Sequence, residues 1–157
     1  MPTIDSPDRI EHSTVIKAPR RRVWRALTNA EEFGRWFGAD LRGQDFAVGQ
    51  RTHGPLVYPG YEHMAFDGVV ERIEAMDVFS YRWHPYAVDP AVDYSQEQLT
   101  LVTFTLADAE PNGTLLTVVE SGFDHLPADR RPEAYRMASR AWEYQVNNIM
   151  QHVATQP

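Results

Sequence analysis

The chain of 157 residues contains no cysteine. This absence excludes disulfide bonds, thiolate zinc sites, cysteine-ligated iron–sulfur clusters and cysteine nucleophiles. Long apolar runs are missing as well, whereas a membrane-spanning helix needs roughly 20 consecutive apolar residues. The first eight residues lack the basic-then-apolar order of a secretory signal. We therefore expect no membrane insertion and a cytoplasmic location.

Basic residues are fewer than acidic ones, with 15 Lys and Arg residues against 22 Asp and Glu residues. The resulting formal net charge of −7 argues against nucleic acid as a partner. Five basic residues nevertheless cluster early in the chain. They form either an anion-binding patch or, as we favour, the solvated face of a first helix: Lys17, Arg20, Arg21, Arg22 and Arg25.

Motifs for cofactors and covalent catalysis are also missing. The sequence contains no Walker A or Gly-x-Gly-x-x-Gly loop for phosphates and no Gly-x-Ser-x-Gly nucleophile elbow. Its six histidines include no His-Glu-x-x-His motif and no close His-x-His pair, so their spacing predicts no metal site. We expect no cofactor, no metal ligands and no established catalytic residue.

Hydrophobic periodicity and turn residues predict a first strand, two short helices, a run of further strands and one long helix. Predicted strands cover residues 10–17, 46–52, 64–73, 78–83, 99–106 and 114–121. The predicted helices cover residues 20–27, a short segment between Asn29 and Gly38, and residues 130–154. Asn29 is the expected N-cap of the second helix, with Glu32 as its capping-box partner and Gly38 as its left-handed end.

The order of these elements predicts the fold class. Strands joined by short turns form an antiparallel sheet, and only the long helix is large enough to cover one face of it. A twisted sheet wrapped around one helix leaves a wedge between them, which is where ligand pockets form. The sequence therefore predicts one α+β domain over residues 10–155, after a flexible leader over residues 1–9.

Several short motifs resemble one known family. Ala18-Pro19, Val23-Trp24, Ala26-Leu27-Thr28 and Trp36-Phe37 resemble the opening signature of the activator-of-Hsp90-ATPase-like proteins, within the START/Bet v 1-like (SRPBCC) superfamily. Residues 118–123 and Trp142 resemble that family's last strand and final helix. The resemblance implies the helix-grip (Bet v 1-like) fold, a curved antiparallel sheet of about six to seven strands wrapped around a long C-terminal helix, with two short helices after strand 1. It also implies a deep, mostly apolar cavity.

Inward positions of the strands and helices supply the predicted cavity wall. The expected ligand-binding residues are Trp36, Tyr81, Trp83, Phe104, Glu120, Tyr135, Trp142 and Val146. Glu120 is the most informative of them, because strand alternation points it inward with apolar neighbours. A desolvated carboxylate would have a raised pKa or need a donor such as Tyr81 or an arginine, and it could fix a ligand or act as an acid or base. The alternative places it at the strand end, in contact with water.

Three functions follow from these features. We favour binding of a hydrophobic or aromatic small molecule in the cavity. The second hypothesis is a cyclase- or hydrolase-like enzyme that uses Glu120. The third, implied by the resemblance alone, is a co-chaperone-type regulator of an Hsp90-like ATPase. The segment 85–98 is predicted to be a lid, a cover for a sheet edge or a homodimer contact, and the sequence leaves these alternatives open.

Overall fold

The computed structural model describes residues 8–85 and 91–155. Its elements are, in chain order, β1 (Arg9–Ile16), α1 (Arg20–Thr28), α2 (Ala30–Phe37), β2 (Arg51–Pro55), β3 (Ala65–Glu74), β4 (Val78–Trp83), β5 (Thr100–Ala109), β6 (Gly113–Ser121) and α3 (Arg131–Thr155). One turn of 3₁₀ helix, Phe123–His125, connects β6 to α3. Of the predicted leader, residues 1–7 lie outside the described part of the chain, and Arg9 already belongs to β1.

The strands form one curved antiparallel sheet in the order β1-β6-β5-β4-β3-β2. The first and last strands are neighbours, with Ile10 opposite Glu120. Helices α1 and α2 carry the chain from β1 to the opposite edge of the sheet, where β2 pairs with β3. Because α3 then packs against β1 and α2, the predicted α+β helix-grip fold is confirmed, with six strands.

Strand alternation separates the two faces of the central sheet. Phe79 and Tyr81 on β4 are fully buried, and so are Phe104 on β5 and Val118 on β6. Their side chains share one face because residues two apart in a strand point the same way. One side of α3 meets this face, since the ring of Trp142 lies 5.6 Å from that of Phe104. The buried apolar residues of this side include Ala138, Trp142, Val146, Ile149 and Val153.

The junction between α1 and α2 is fixed by a local capping interaction. The side chain of Asn29 accepts a hydrogen bond of 2.9 Å from the backbone N–H of Glu32, as an N-cap residue does. Gly38 ends α2 in the left-handed conformation with φ of 97°. In a full capping box the Glu32 carboxylate would accept a hydrogen bond from the backbone N–H of Asn29. Here it binds Arg22 at 2.6 Å instead.

The strand predicted over residues 46–52 is wrong for most of its length. A turn closes at Gln50, whose N–H donates to the carbonyl of Ala47, and Gly49 has a positive φ of 80°. β2 begins only at Arg51 and runs to Pro55, beyond the predicted end at residue 52. Phe46 still reaches the core, since its ring lies 5.0 Å from that of Phe79.

Gly54 is required by a contact that is remote in sequence. A Cβ atom at this position would lie 2.0 Å from the carbonyl oxygen of Asp40, whose own N–H donates to Pro55. Backbone atoms cannot move aside as a flexible side chain can, so any larger residue would displace β2 from the segment after α2. This contact holds the edge of the sheet against α2.

We expect Gly54→Ala to lower the free energy of unfolding by at least 2 kcal/mol, about the cost of overpacking. Gly68→Ala in the neighbouring strand is the matched control, because its Cβ would meet only side-chain atoms, at 3.3 Å or more. Urea unfolding followed by circular dichroism measures both values. Equal losses in the two variants would contradict the role assigned to the contact between Gly54 and Asp40.

Candidate functional site

Glu120 lies on the inward face of β6 and is completely buried, with 0% of its surface exposed. Its Oε1 accepts a hydrogen bond of 2.8 Å from Nε1 of Trp142 on α3. Its Oε2 accepts one of 2.8 Å from Nε1 of Trp83 on β4 and one of 2.6 Å from the hydroxyl of Thr100 on β5. The expectation that water reaches Glu120 at a strand end is wrong, because the two indoles and α3 close over it.

The three partners of Glu120 are suited to an ionised carboxylate. An indole N–H can only donate, and an ionised carboxylate only accepts. In the part of the chain that the structure describes, no Lys, Arg or His forms an ion pair with Glu120. Burial raises the pKa of Glu120, and the hydrogen bonds from Thr100, Trp83 and Trp142 offset only part of that rise.

A cavity of about 350 Å³ adjoins this carboxylate, between α3, α2 and strands β3 and β4. Most of its wall is apolar or aromatic, and the polar lining residues are few. The lining consists of Phe37, Leu56, Met64, Ala65, Phe66, Asp67, Trp83, His84, Pro85, Glu120, Met137, Ala138, Ala141, Trp142 and Gln145.

Four rings make up the aromatic part of the wall. The centroids of Trp83 and Trp142 are 5.9 Å apart, with ring planes tilted by 34°. Phe37 lies 5.9 Å from Trp83 and 6.5 Å from Trp142, and Phe66 lies 5.8 Å from Trp83. These distances are within the range of favourable aromatic contacts. The indoles are held in place at both ends, by neighbouring rings and by Glu120.

The structure brings three of the eight predicted ligand-binding residues together at this cavity: Trp83, Glu120 and Trp142. Two others belong to the aromatic layer behind it. Phe104 lies 5.6 Å from Trp142, and Tyr81 lies 5.3 Å from Trp83. The hydroxyl of Tyr81 has no hydrogen-bond partner among the described residues, so the predicted bond from Tyr81 to Glu120 is absent there.

The remaining three predicted residues lie away from this lining. The indole N–H of Trp36 donates to the carbonyl of Ala26 at 2.8 Å and ties α2 to α1. The hydroxyl of Tyr135 donates to the carbonyl of Arg9 at 3.0 Å, near the start of α3. Val146 is buried in the core. A ligand contact for these three residues stays a prediction.

Sequence reasoning missed several lining residues that a signal could have indicated. Phe37 directly follows Trp36 at the end of α2, and Phe66 alternates with Gly68 and Val70 along β3. Gln145 lies three positions after Trp142 and is buried, so it continues the inward stripe of α3 in spite of its polarity. Its amide donates to the carbonyl of Phe37 at 2.9 Å.

The basic cluster early in the chain forms ion pairs at three of its positions, Arg20, Arg22 and Arg25, the last with Glu32 at 3.3 Å. Arg22 is buried and binds Glu32, which also lies 2.9 Å from Nε2 of His152 on α3. Burial opposes ionisation of Glu32, but hydrogen bonds from His152 and Arg22 outweigh it and lower the pKa of Glu32. Arg20 pairs with Asp77 at the far end of the sheet. Ion pairs therefore account for part of the cluster.

The described ends of the segment 85–98 are fixed beside the cavity. Arg130 binds the carboxylate of Glu97 at 2.6 Å and donates to the carbonyl of Pro85 at 2.9 Å. Its guanidinium lies 4.8 Å from the ring centroid of Tyr94. Residues 86–90 lie outside the described part, so the alternatives of lid, edge cover and homodimer contact stay predictions.

Within residues 8–85 and 91–155, no group of three or more His, Asp or Glu side chains is arranged to hold a metal ion. In the same ranges, no helix combines the length and apolar character needed to cross a bilayer.

Known proteins resemble this chain in sequence and in fold. The family model described as activator of Hsp90 ATPase homolog 1-like protein matches residues 17–154. No curated protein matches the sequence. Protein MLL2253 from Mesorhizobium loti is 27% identical, with a TM-score of 0.71 over 95% of this chain and 98% of that one.

Two further solved structures share the fold. Protein CV1439 from Chromobacterium violaceum is 22% identical, with a TM-score of 0.71 over 94% of this chain and 98% of that one. The Aha1 dimer from Colwellia psychrerythraea is 17% identical, with a TM-score of 0.65 over 92% and 95% of the two chains.

The hydrogen bond from Thr100 to Glu120 can be tested with a matched pair of buried threonines. We expect Thr100→Val to lower the free energy of unfolding by about 1.5–3 kcal/mol, since its hydroxyl donates to a charged group. Thr114→Val should cost about 0.5–1.5 kcal/mol, because the hydroxyl of Thr114 donates to a neutral carbonyl, that of Ala18, at 2.7 Å. Urea unfolding measures both.

The pH dependence of the two stability losses distinguishes the loss of a hydrogen bond to a charged group from a change in packing. Burial raises the pKa of Glu120 above its ordinary value of 4.5, so its favourable contribution to folding is present below that value and is lost as pH rises through the folded-state pKa. Thr100→Val removes a donor to the ionised form and raises the pKa further. Its loss of stability should therefore grow with pH above 4.5, whereas that of Thr114→Val should stay constant. Parallel curves would contradict an ionised Glu120.

Proposed function

This chain belongs to the activator of Hsp90 ATPase homolog 1-like family, and from that membership and the cavity under α3 we propose that it binds a hydrophobic or aromatic small molecule. The observation that carries the proposal is the cavity of about 350 Å³ walled by four aromatic rings. Pockets for small ligands span about 300–1,000 Å³ and combine apolar walls with a few polar groups. The cavity has both properties.

The position of Glu120 supports a binding role over an enzymatic one. A general acid must reach the atom that it protonates, whereas both carboxylate oxygens of Glu120 are engaged by hydrogen bonds from Trp83, Thr100 and Trp142. A general base must reach the substrate, and Glu120 is completely buried behind the two indoles. Its arrangement favours a fixed negative charge at the end of the cavity.

The binding proposal is tested with the neutral fluorescent probe N-phenyl-1-naphthylamine. We expect the protein to bind it with a blue shift of its emission, because the aromatic wall excludes water. Ala141→Phe should weaken binding by about tenfold, since Ala141 lines the cavity and the larger ring fills it. Fluorescence titration measures the dissociation constants, and circular dichroism confirms that each variant is folded.

Ala154→Phe is the matched control, because Ala154 lies on the same helix but away from this cavity. It should bind the probe as the wild type does. Equal weakening in both variants, or no binding by the wild type, would count against the cavity as a ligand site. Native mass spectrometry of the purified protein adds an independent readout, a bound mass that Ala141→Phe reduces.

The family description favours a second candidate function, stimulation of an Hsp90-type ATPase. On this hypothesis, adding the purified chain to an Hsp90 raises the rate of ATP hydrolysis in proportion to the complex formed. A coupled ATPase assay with and without the Hsp90 inhibitor geldanamycin measures the increase. An unchanged rate at saturating concentrations of the chain would exclude this candidate and would leave the cavity proposal intact.

A further inference from the structure

We propose that the ligand carries an organic cation, a tertiary or quaternary ammonium group, seated against the partly exposed ring of Trp83 and balanced by the charge of Glu120. The inference rests on the proposed function, because it names the ligand class for the same cavity. It depends on three observations: the charge balance of the lining, the engagement of both indole N–H groups by Glu120 and the complete burial of the carboxylate.

The lining has one negative charge without a partner of opposite sign. Asp67 forms a two-point ion pair with Arg51, at 2.7 and 2.8 Å, so its charge is balanced. His84 is engaged by the carbonyl of Glu97 at 3.1 Å. Among the described lining residues, no Lys or Arg offsets the charge that Glu120 carries when ionised, and a charge buried away from water attracts cations strongly.

Of the two indoles, that of Trp83 is the one a cation can reach, because Trp83 is half-buried whereas Trp142 has 2% of its surface exposed. Each uses its N–H edge to bind Glu120, so the edge is occupied while the ring itself lines the cavity. The face of an aromatic ring is the negative end of its quadrupole, and Trp is the strongest partner in cation–π contacts. A hydrogen bond to an anion polarises the donor further, which strengthens the attraction of the face.

The burial of Glu120 selects the kind of cation. With 0% of its surface exposed, the carboxylate attracts a charge across the rings but offers no surface for a direct hydrogen bond. A primary ammonium would leave N–H groups unsatisfied against an aromatic wall, at a large desolvation cost. A tertiary or quaternary ammonium avoids that cost, because alkyl groups replace most or all of the N–H bonds. Aromatic walls recognise such groups elsewhere in proteins.

The test uses two probes of equal shape, phenyltrimethylammonium and tert-butylbenzene, which differ only in charge. We expect the wild type to bind the cation about tenfold more tightly or better. Glu120→Gln should reduce the ratio of the two dissociation constants to about twofold, with the affinity for tert-butylbenzene retained. Ligand-observed NMR titration measures both dissociation constants.

Glu71→Gln is the control for net charge, because Glu71 is an exposed carboxylate paired with Arg82 outside the cavity. The ratio should be unchanged in this variant. A wild-type ratio near one, or a tenfold ratio that survives in Glu120→Gln, would overturn the inference. If Glu120→Gln does not fold, the wild-type ratio alone decides. Binding of both N-phenyl-1-naphthylamine and tert-butylbenzene without preference for the cation would refute this inference and leave the proposed function standing.

Discussion

The carboxylate of Glu120 is the constraint on which the rest of the structure depends. Its hydrogen bonds join β4, β5 and α3 to β6 at one buried point. Because both indoles must aim their N–H groups at this point, the position of α3 over the sheet is fixed in rotation as well as in depth. Apolar packing alone is non-directional and would allow α3 to slide or turn by part of a residue.

This constraint also explains why a cavity persists beside a densely packed core. On one side, Phe33 contacts Trp36, Phe66 and Tyr81 at centroid distances of 4.6–6.1 Å, and the aromatic layer is closed. On the other side, hydrogen bonds to Glu120 hold the indoles of Trp83 and Trp142 in orientations that do not fill the cavity. The small side chains of Ala138 and Ala141 on α3 then leave that space open. Core and cavity are thus two consequences of the same aromatic layer.

The sequence predicted those features that local periodicity determines. β4 has the predicted bounds, and Glu120 lies inward as alternation with Val118 requires. The predictions that were wrong concern features set by contacts between residues distant in sequence. The predicted position of β2 was wrong because its actual position is set by the contact of Gly54 with the backbone of Asp40. The donors to Glu120 lie 20–37 residues away from it in sequence. No spacing rule indicates that Trp83 and Trp142 turn their N–H groups to one carboxylate.

Glu120 has no partner of opposite charge in the described part of the chain, and a buried carboxylate of this kind fixes a helix at a high cost in desolvation. Replacing buried ionic groups by well-packed apolar residues is often neutral or stabilising by about 1–4 kcal/mol, and three neutral donors recover only part of the desolvation cost of Glu120. A protein that needed only a stable core would gain from an apolar residue at this position. The charge has a use if the missing cation arrives with the ligand, since binding then supplies the electrostatic partner that folding alone leaves out. The same residue that orients α3 would in that case define the chemistry of what the cavity accepts.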